Sequence, residues 1–253
     1  MPAPAYSEFY YPLNVFMHIL THEEGAATYL HYGFFENPNE PIAKAQERST
    51  AALLERLPPA VSTRLSAPAR LLDAGSGLGT TLRKLHELGY RVTGITPDAK
   101  QVAAIGDGID VRCIAFEAMP EDETFDTVIF QESSQYIDSE ALFAKAAKLT
   151  RHVIVLDEFT VRAEEGASLH ALDRFLAAAR ANGFEPVEDL DVSAKAAPTI
   201  DYFAQRFPRY RDALKSDLAL TDAQIDSLID NGVRYRDFYD RGVYAYRVMQ
   251  FRR

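Results

Sequence analysis

Cysteine is nearly absent. Cys113 stands alone in 253 residues, so an intramolecular disulfide is impossible and a thiolate metal cluster has no ligands. Tryptophan is missing altogether. No stretch approaches the roughly 18 consecutive apolar residues that a membrane-spanning helix needs. The opening MPAPAYSEFYYPLNVFMHIL lacks the basic start and clean apolar centre of a signal peptide. Positive charge is scarce too: 27 Lys and Arg against 37 Asp and Glu leave a formal net charge of −10. Proteins that bind DNA or RNA backbone carry the opposite balance, because phosphate neutralisation dominates their affinity. The same deficit disfavours anionic lipid surfaces. These absences predict a cytoplasmic protein with no nucleic-acid partner and no stable membrane insertion.

What is present reads as globular. Hydrophobic residues make up 47% and charged residues 25%, the ordinary balance of a folded domain. From Arg70 onward, strand-length apolar runs alternate with helical spacing. The runs are RLLDA (70–74), RVTGI (91–95), DVRCI (110–114), DTVIF (126–130) and HVIVLD (152–157), with GVYAYRVMQF (242–251) alternating like a last strand. Helical patterns fall at 81–89, 100–106, 139–149 and 168–183, the last closed by the left-handed cap signal Asn182-Gly183. Such alternation predicts an α/β fold, a mainly parallel sheet with helices on both faces. Flanking segments read as a helical cap. Residues 1–65 form its first part, around the aromatic loop HYGFFENPNEP (31–41); residues 193–242 form its second, with Thr221 capping TDAQIDSLID. The core is then 66–192 and the last strand 243–253, all within one domain.

The most informative stretch is LLDAGSGLGTTLRKL (71–85), a strand, a glycine-rich turn and a helix. Gly75, Gly77 and Gly79 leave the backbone open to close approach by a ligand, and the helix start offers unpaired N–H groups. A dinucleotide enzyme places a third glycine one residue later and sets a pyrophosphate on the helix. Here Thr80 occupies that position, and Asp73 at the strand end would repel a pyrophosphate but attract an ammonium group. A cofactor with an amino-acid tail and no phosphate satisfies both facts, and S-adenosylmethionine is such a cofactor.

With these residues the sequence resembles the class I S-adenosylmethionine-dependent methyltransferases. It is most similar to the branch of sterol, tocopherol, phosphoethanolamine and cyclopropane-fatty-acid enzymes. LHYGFFENPNEPIAKAQ (30–46) is similar to that branch's N-terminal signature, and VTGITPDAKQV (92–102) to its second-strand segment. The resemblance runs from about Tyr29 to Asp191. It implies a Rossmann-like, seven-stranded, mostly parallel sheet with a helical cap. It further implies that Gly75 and Gly77 line the methionine moiety, with Asp73 near the ammonium. Tyr32 and Gly33 would close the pocket, Thr96 and Gln101 hold the ribose, Phe116 stack near adenine, and Gln131 touch the methionine part. Where relatives carry Glu-His after the fourth strand, this chain has Gln135-Tyr136.

In open α/β sheets ligands bind beyond the carboxyl ends of the strands, so the loop FQESSQYID (130–138) is expected to face the acceptor. Glu132 is the best-placed base or cation partner there, and Tyr136 could orient an acceptor. His18, His22, His31 and His170 are further candidate bases. Asp157 and Glu158 close the fifth-strand run, yet the remaining acids of a metal-dependent set are not visible, and no metal is expected. The expected activity is methyl transfer to a small organic acceptor, apolar or aromatic, on oxygen, nitrogen or carbon. A homodimer stays open. The rival readings are a cyclopropane-type lipid enzyme, a non-catalytic S-adenosylmethionine-binding protein, and a nicotinamide oxidoreductase.

Overall fold

A computed structural model describes residues 5–60 and 67–253. In chain order the elements are α1 (Leu13–Glu24), α2 (Ile42–Leu54), β1 (Arg70–Ala74), α3 (Thr80–Glu87), β2 (Arg91–Thr96), α4 (Ala99–Ile105), β3 (Asp110–Cys113), β4 (Thr127–Gln131) and α5 (Ser139–Leu149). They continue as β5 (His152–Thr160), α6 (Leu172–Ala181), β6 (Glu185–Asp191), α7 (Ser193–Ala196), α8 (Pro198–Arg209), α9 (Arg211–Leu218), α10 (Asp222–Asp240) and β7 (Tyr244–Arg252). Two compact units result. A helical unit takes the chain through Ser49 and again over Ser193–Gly242; a sheet unit takes Thr50–Val192 and Val243–Arg253. Positions 1–4 and 61–65 of the expected N-terminal segment, and position 66 of the expected core, fall outside the described residues. No helix among the described residues is long and apolar enough to cross a membrane.

The sheet has seven strands in the order β3-β2-β1-β4-β5-β7-β6. Neighbours from β3 to β5 run parallel, and β7 lies antiparallel between β5 and β6. This is the mostly parallel, Rossmann-like sheet expected. Strand order reverses between β1 and β4, which opens the crevice where ligands of such sheets bind. All nine residues of β5 are buried, as its near-continuous apolar run requires of a central strand. Phe143 of α5 packs edge-on to Phe175 of α6 at 4.9 Å and to Phe251 of β7 at 5.2 Å. Each ring so buried contributes about 1.5–3 kcal/mol. A polar chain also crosses the sheet: Thr127 to His152 at 2.9 Å, His152 to Gln250 at 3.1 Å, and Gln250 to Glu188 at 2.8 Å. Arg56 grips the same Glu188 with two nitrogens, at 2.6 and 2.9 Å.

Three boundaries correct the sequence reading. β5 runs on to Thr160, so Asp157 and Glu158 lie inside it rather than at its end. The helix expected from 168 begins at Leu172, because Thr160 binds the preceding segment, its N–H donating to His170 O at 2.8 Å and its hydroxyl to Leu169 O at 3.0 Å. β6, EPVEDLD, has no apolar run to announce it, since its outer edge meets solvent and most of its residues are exposed.

The helical unit has its own core, in which Val15 and Ile19 of α1, Leu214 of α9 and Ile225 of α10 are fully buried. Thr221 caps α10 as expected, forming a reciprocal capping box with Gln224. The aromatic loop before α2 is pinned from that helix. Gln46 Nε2 donates to His31 O at 2.7 Å and to Tyr29 O at 3.3 Å, and Arg48 binds Phe34 O at 3.0 Å and Glu40 Oε2 at 2.6 Å.

Candidate active site

At the carboxyl end of β1 the backbone turns through Gly75 (φ 90°), Gly77 (φ 52°) and Gly79 (φ 73°) into α3. At Gly75 the structure also supplies a packing constraint. A Cβ there would stand 2.4 Å from the Ser133 Cβ, so Gly75 admits the loop that follows β4. At Gly79 a Cβ would meet Ile105 of α4 at 2.6 Å. The turn is anchored on β2, because the N–H groups of Gly75 and Ser76 both donate to Ile95 O, at 2.9 and 3.1 Å. Gly94 was not singled out from sequence, yet it is needed. A side chain there would come within 2.6 Å of Leu82 and of the Ser76 hydroxyl. A lone glycine inside the apolar run RVTGIT was the available signal.

Asp73 is 3% exposed, and its Oδ2 has no hydrogen-bond partner among the described residues. Burial pushes its carboxyl up to about 7, opposed by the Ser76 hydroxyl. Gln131 ends the adjacent β4. Its Oε1 accepts from the Thr81 hydroxyl at 3.1 Å, while its buried Nε2 has no partner. The ends of β1 and β4 thus carry one orphan acceptor and one orphan donor. At the end of β2, Thr96 and Gln101, paired by the family resemblance, are in contact: the Thr96 hydroxyl donates to Gln101 Oε1 at 2.6 Å. Phe116 is buried after β3 and packs edge-on to Phe130 at 5.0 Å.

The loop after β4 begins with Glu132, in the left-handed region at φ 56°. Its N–H donates to Leu156 O at 2.8 Å, and its carboxylate accepts from the buried Tyr246 hydroxyl of β7 at 2.7 Å. Tyr246 is the partner that sequence reasoning missed; the alternation of β7 points it inward, but nothing in the sequence pairs it with Glu132. Tyr136 is 78% exposed. The loop is held by Asp157, whose Oδ2 accepts from the Ser134 hydroxyl at 2.6 Å and from the N–H groups of Ser134 and Gln135 at 3.0 and 3.3 Å. Burial pushes this carboxyl up to about 6 against those bonds. Its place is explained by anchoring. His170 Nε2 lies 2.9 Å from Ile137 O at the far end of the same loop.

Tyr32 and Gly33 belong to the helical unit. Gly33 N–H donates to the Thr199 hydroxyl at 3.0 Å, and a Cβ on Gly33 would overlap Ala45 at 2.5 Å. His31 is buried beside them, its Nδ1 2.9 Å from Tyr32 O, and burial lowers its pKa to about 4. His18 and His22 lie in the same unit, on α1.

Residues 72–153 match the family described as a methyltransferase domain. A ubiquinone biosynthesis O-methyltransferase from Rhodopseudomonas palustris (strain BisB18) is 32% identical over 90 residues, covering 32% of this chain and 35% of that protein. The chain therefore matches only about a third of the length of such relatives. Among solved structures, the cyclopropane synthase MmaA2 from Mycobacterium tuberculosis superposes with a TM-score of 0.78 at 14% identity, over 100% of this chain and 99% of that one. The [4+2]-cyclase SpnF gives 0.75 at 21%, over 93% and 91%. The matched segment runs from β1 to the start of β5, about a third of the chain, and is similar to methyltransferase domains, a family that uses S-adenosylmethionine.

Proposed function

We propose that the chain binds S-adenosylmethionine at the carboxyl ends of β1, β2 and β4 and transfers its methyl group to a small organic metabolite. The buried Asp73 carboxylate, whose Oδ2 has no hydrogen-bond partner among the described residues, carries this reading. A pyrophosphate beside it would add charge repulsion, whereas an ammonium supplies the missing partner and repays the desolvation. Gln131 Nε2 lacks an acceptor, and the carboxylate of an amino-acid tail is one. The donor set therefore suits a zwitterion. Gly75 and Gly77 shape the turn beside it, Thr96 and Gln101 are assigned to the ribose, and Phe116 to the adenine side. Tyr32 and Gly33 rest on the resemblance that suggested them and carry no part of this reading.

The bound cofactor supplies an electrophilic methyl group on a sulfonium. The protein's task is then to align a nucleophile and keep it deprotonated, and alignment alone accounts for several orders of magnitude in rate. Glu132, oriented by the Tyr246 hydroxyl, is assigned as base or electrostatic partner, and exposed Tyr136 as a contact for the acceptor. The name of the Rhodopseudomonas relative favours an oxygen acceptor of aromatic character over nitrogen or carbon. A cytoplasmic setting is consistent with a single cysteine.

Fold alone does not choose the reaction, since a [4+2]-cyclase shares it. Incubation of the purified chain with S-adenosylmethionine and fractionated metabolites separates the readings by mass spectrometry. Methyl transfer yields S-adenosylhomocysteine together with a metabolite heavier by one CH2. Cofactor that binds but is never converted would overturn the reading.

A further inference from the structure

His18 and His22 stand four residues apart on α1, so their rings share one helix face, with centroids 4.3 Å apart. Asp217 of α9 faces them, its Oδ2 2.9 Å from His18 Nε2. One ligand-capable atom from each of the three lies within 4.8 Å of the other two. His18 is fully buried, while His22 and Asp217 are exposed. The cluster is closed on its inner side and open to solvent on its outer side. We propose that His18, His22 and Asp217 bind one divalent transition-metal ion of the zinc class, with solvent completing its coordination.

Donor chemistry sets the class of ion. Two imidazoles and one carboxylate suit zinc and its neighbours, whereas calcium and magnesium call for oxygen ligands throughout. The carboxylate is already oriented: Asp217 Oδ1 accepts from the Ser216 hydroxyl at 2.7 Å, the kind of outer contact that fixes metal ligands. Aromatic walls fix the rings. Tyr6 lies edge-on to His18 at 5.1 Å, and Tyr210 stands 6.0 Å from His18 and 5.7 Å from His22. Nearby acids are committed elsewhere, Glu23 to Arg206, Arg209 and the Tyr210 hydroxyl, and Glu24 to the Tyr202 hydroxyl. A plain His18–Asp217 hydrogen bond does not account for the second imidazole, His22, set beside the first with its ring tilted by 40°. An ion here would join α1 to α9 and stabilise the helical unit by mass action.

The test uses the untagged full chain, stripped with EDTA and titrated with zinc or cobalt(II) chloride. The expected result is one ion per chain at micromolar metal, visible d–d absorption on cobalt binding, and a thermal midpoint that rises with metal. His22→Ala and Asp217→Asn should each weaken binding at least about tenfold while far-UV circular dichroism stays unchanged. His22→Ala leaves the His18–Asp217 hydrogen bond intact, so it decides the matter even where Asp217→Asn lowers stability. No saturable uptake at micromolar metal, or uptake that survives both substitutions, overturns the assignment.

Discussion

The buried carboxyl of Asp73 ties stability and cofactor binding to pH in opposite senses, and Asp73→Asn separates them. Its ordinary pKa of 3.8 is raised to about 7. At 1.36 kcal/mol per pKa unit, ionising this group in the ligand-free fold costs about 4 kcal/mol. The folded carboxyl keeps its proton up to about pH 7 while the unfolded chain releases it near pH 4, so the folded state binds more protons between those limits. Stability of the ligand-free protein therefore falls as pH rises from about 4 to about 7. Asparagine keeps the shape and cannot ionise. The variant should match the wild type near pH 4 and exceed it by up to about 4 kcal/mol at pH 8. Asp157, raised to about 6, titrates in both proteins and cancels in the difference. Binding runs the other way. An ammonium partner requires the ionised carboxylate, so wild-type affinity for S-adenosylmethionine should rise up to tenfold per pH unit between about pH 5 and 7. It should level off as the cofactor's own amine begins to deprotonate near 7.7–8.0. Urea unfolding at stepped pH measures the first effect. Titration calorimetry in two buffers of different ionisation enthalpy measures the second, as release of close to one proton per cofactor near pH 6. Parallel stability profiles in the two proteins, or undiminished cofactor affinity in the variant, would refute the reasoning.

Asp157→Ala strands the N–H groups of Ser134, Gln135 and Glu158 and the Ser134 hydroxyl, all now bonded to one carboxylate, and should lower the urea-derived stability by about 4 kcal/mol, the low end of about 1–3 kcal/mol for each of the four donors; a loss below about 1 kcal/mol would mean the loop after β4 holds itself. Thr96→Ala and Gln101→Ala should each weaken cofactor binding by about 0.5–1.5 kcal/mol. Because either change already breaks their 2.6 Å bond, the double variant should lose less than the sum, and strict additivity would separate the two roles. Glu132→Gln should cut single-turnover methyl transfer by about 10²–10⁴-fold with cofactor affinity unchanged, whereas a loss below tenfold would leave Glu132 as a structural partner of Tyr246.

The sequence made the interior legible and the periphery much less so. β1 and α5 were bounded to the residue, because a buried strand shows as a continuous apolar run and a well-capped helix as a clean period. β6 escaped because its sequence, EPVEDLD, is governed by an exposed edge and by ion pairs such as Glu188 with Arg56. At the site, the Asp73–glycine turn came from local spacing and the Thr96–Gln101 pair from the family resemblance. Partners distant in sequence did not: Tyr246 is 114 positions from Glu132, and Asp217 is 199 from His18. The pair His18 and His22 was visible four apart on one helix, but the carboxylate that joins it to α9 was not. The packing of Ser133 against Gly75 was not legible either, since no pattern in the turn announces it.

The order in which the strands arise along the chain has a consequence for synthesis. β6 pairs only with β7, and β7 also completes the far side of β5. Between β6 and β7 the ribosome must first make residues 193–242, which takes roughly 3–10 s at about 5–20 residues per second. Throughout that interval β5 presents an unpaired, apolar edge and β6 has no strand partner among the described residues. Open strand edges invite pairing with other chains, and charge on the edge is the usual protection. Glu185, Glu188, Asp189 and Asp191 place four acids on the waiting strand. The acidity that hid β6 from sequence reading thus also sets like charges along the edge that waits for β7, the kind of charge that disfavours pairing with another chain.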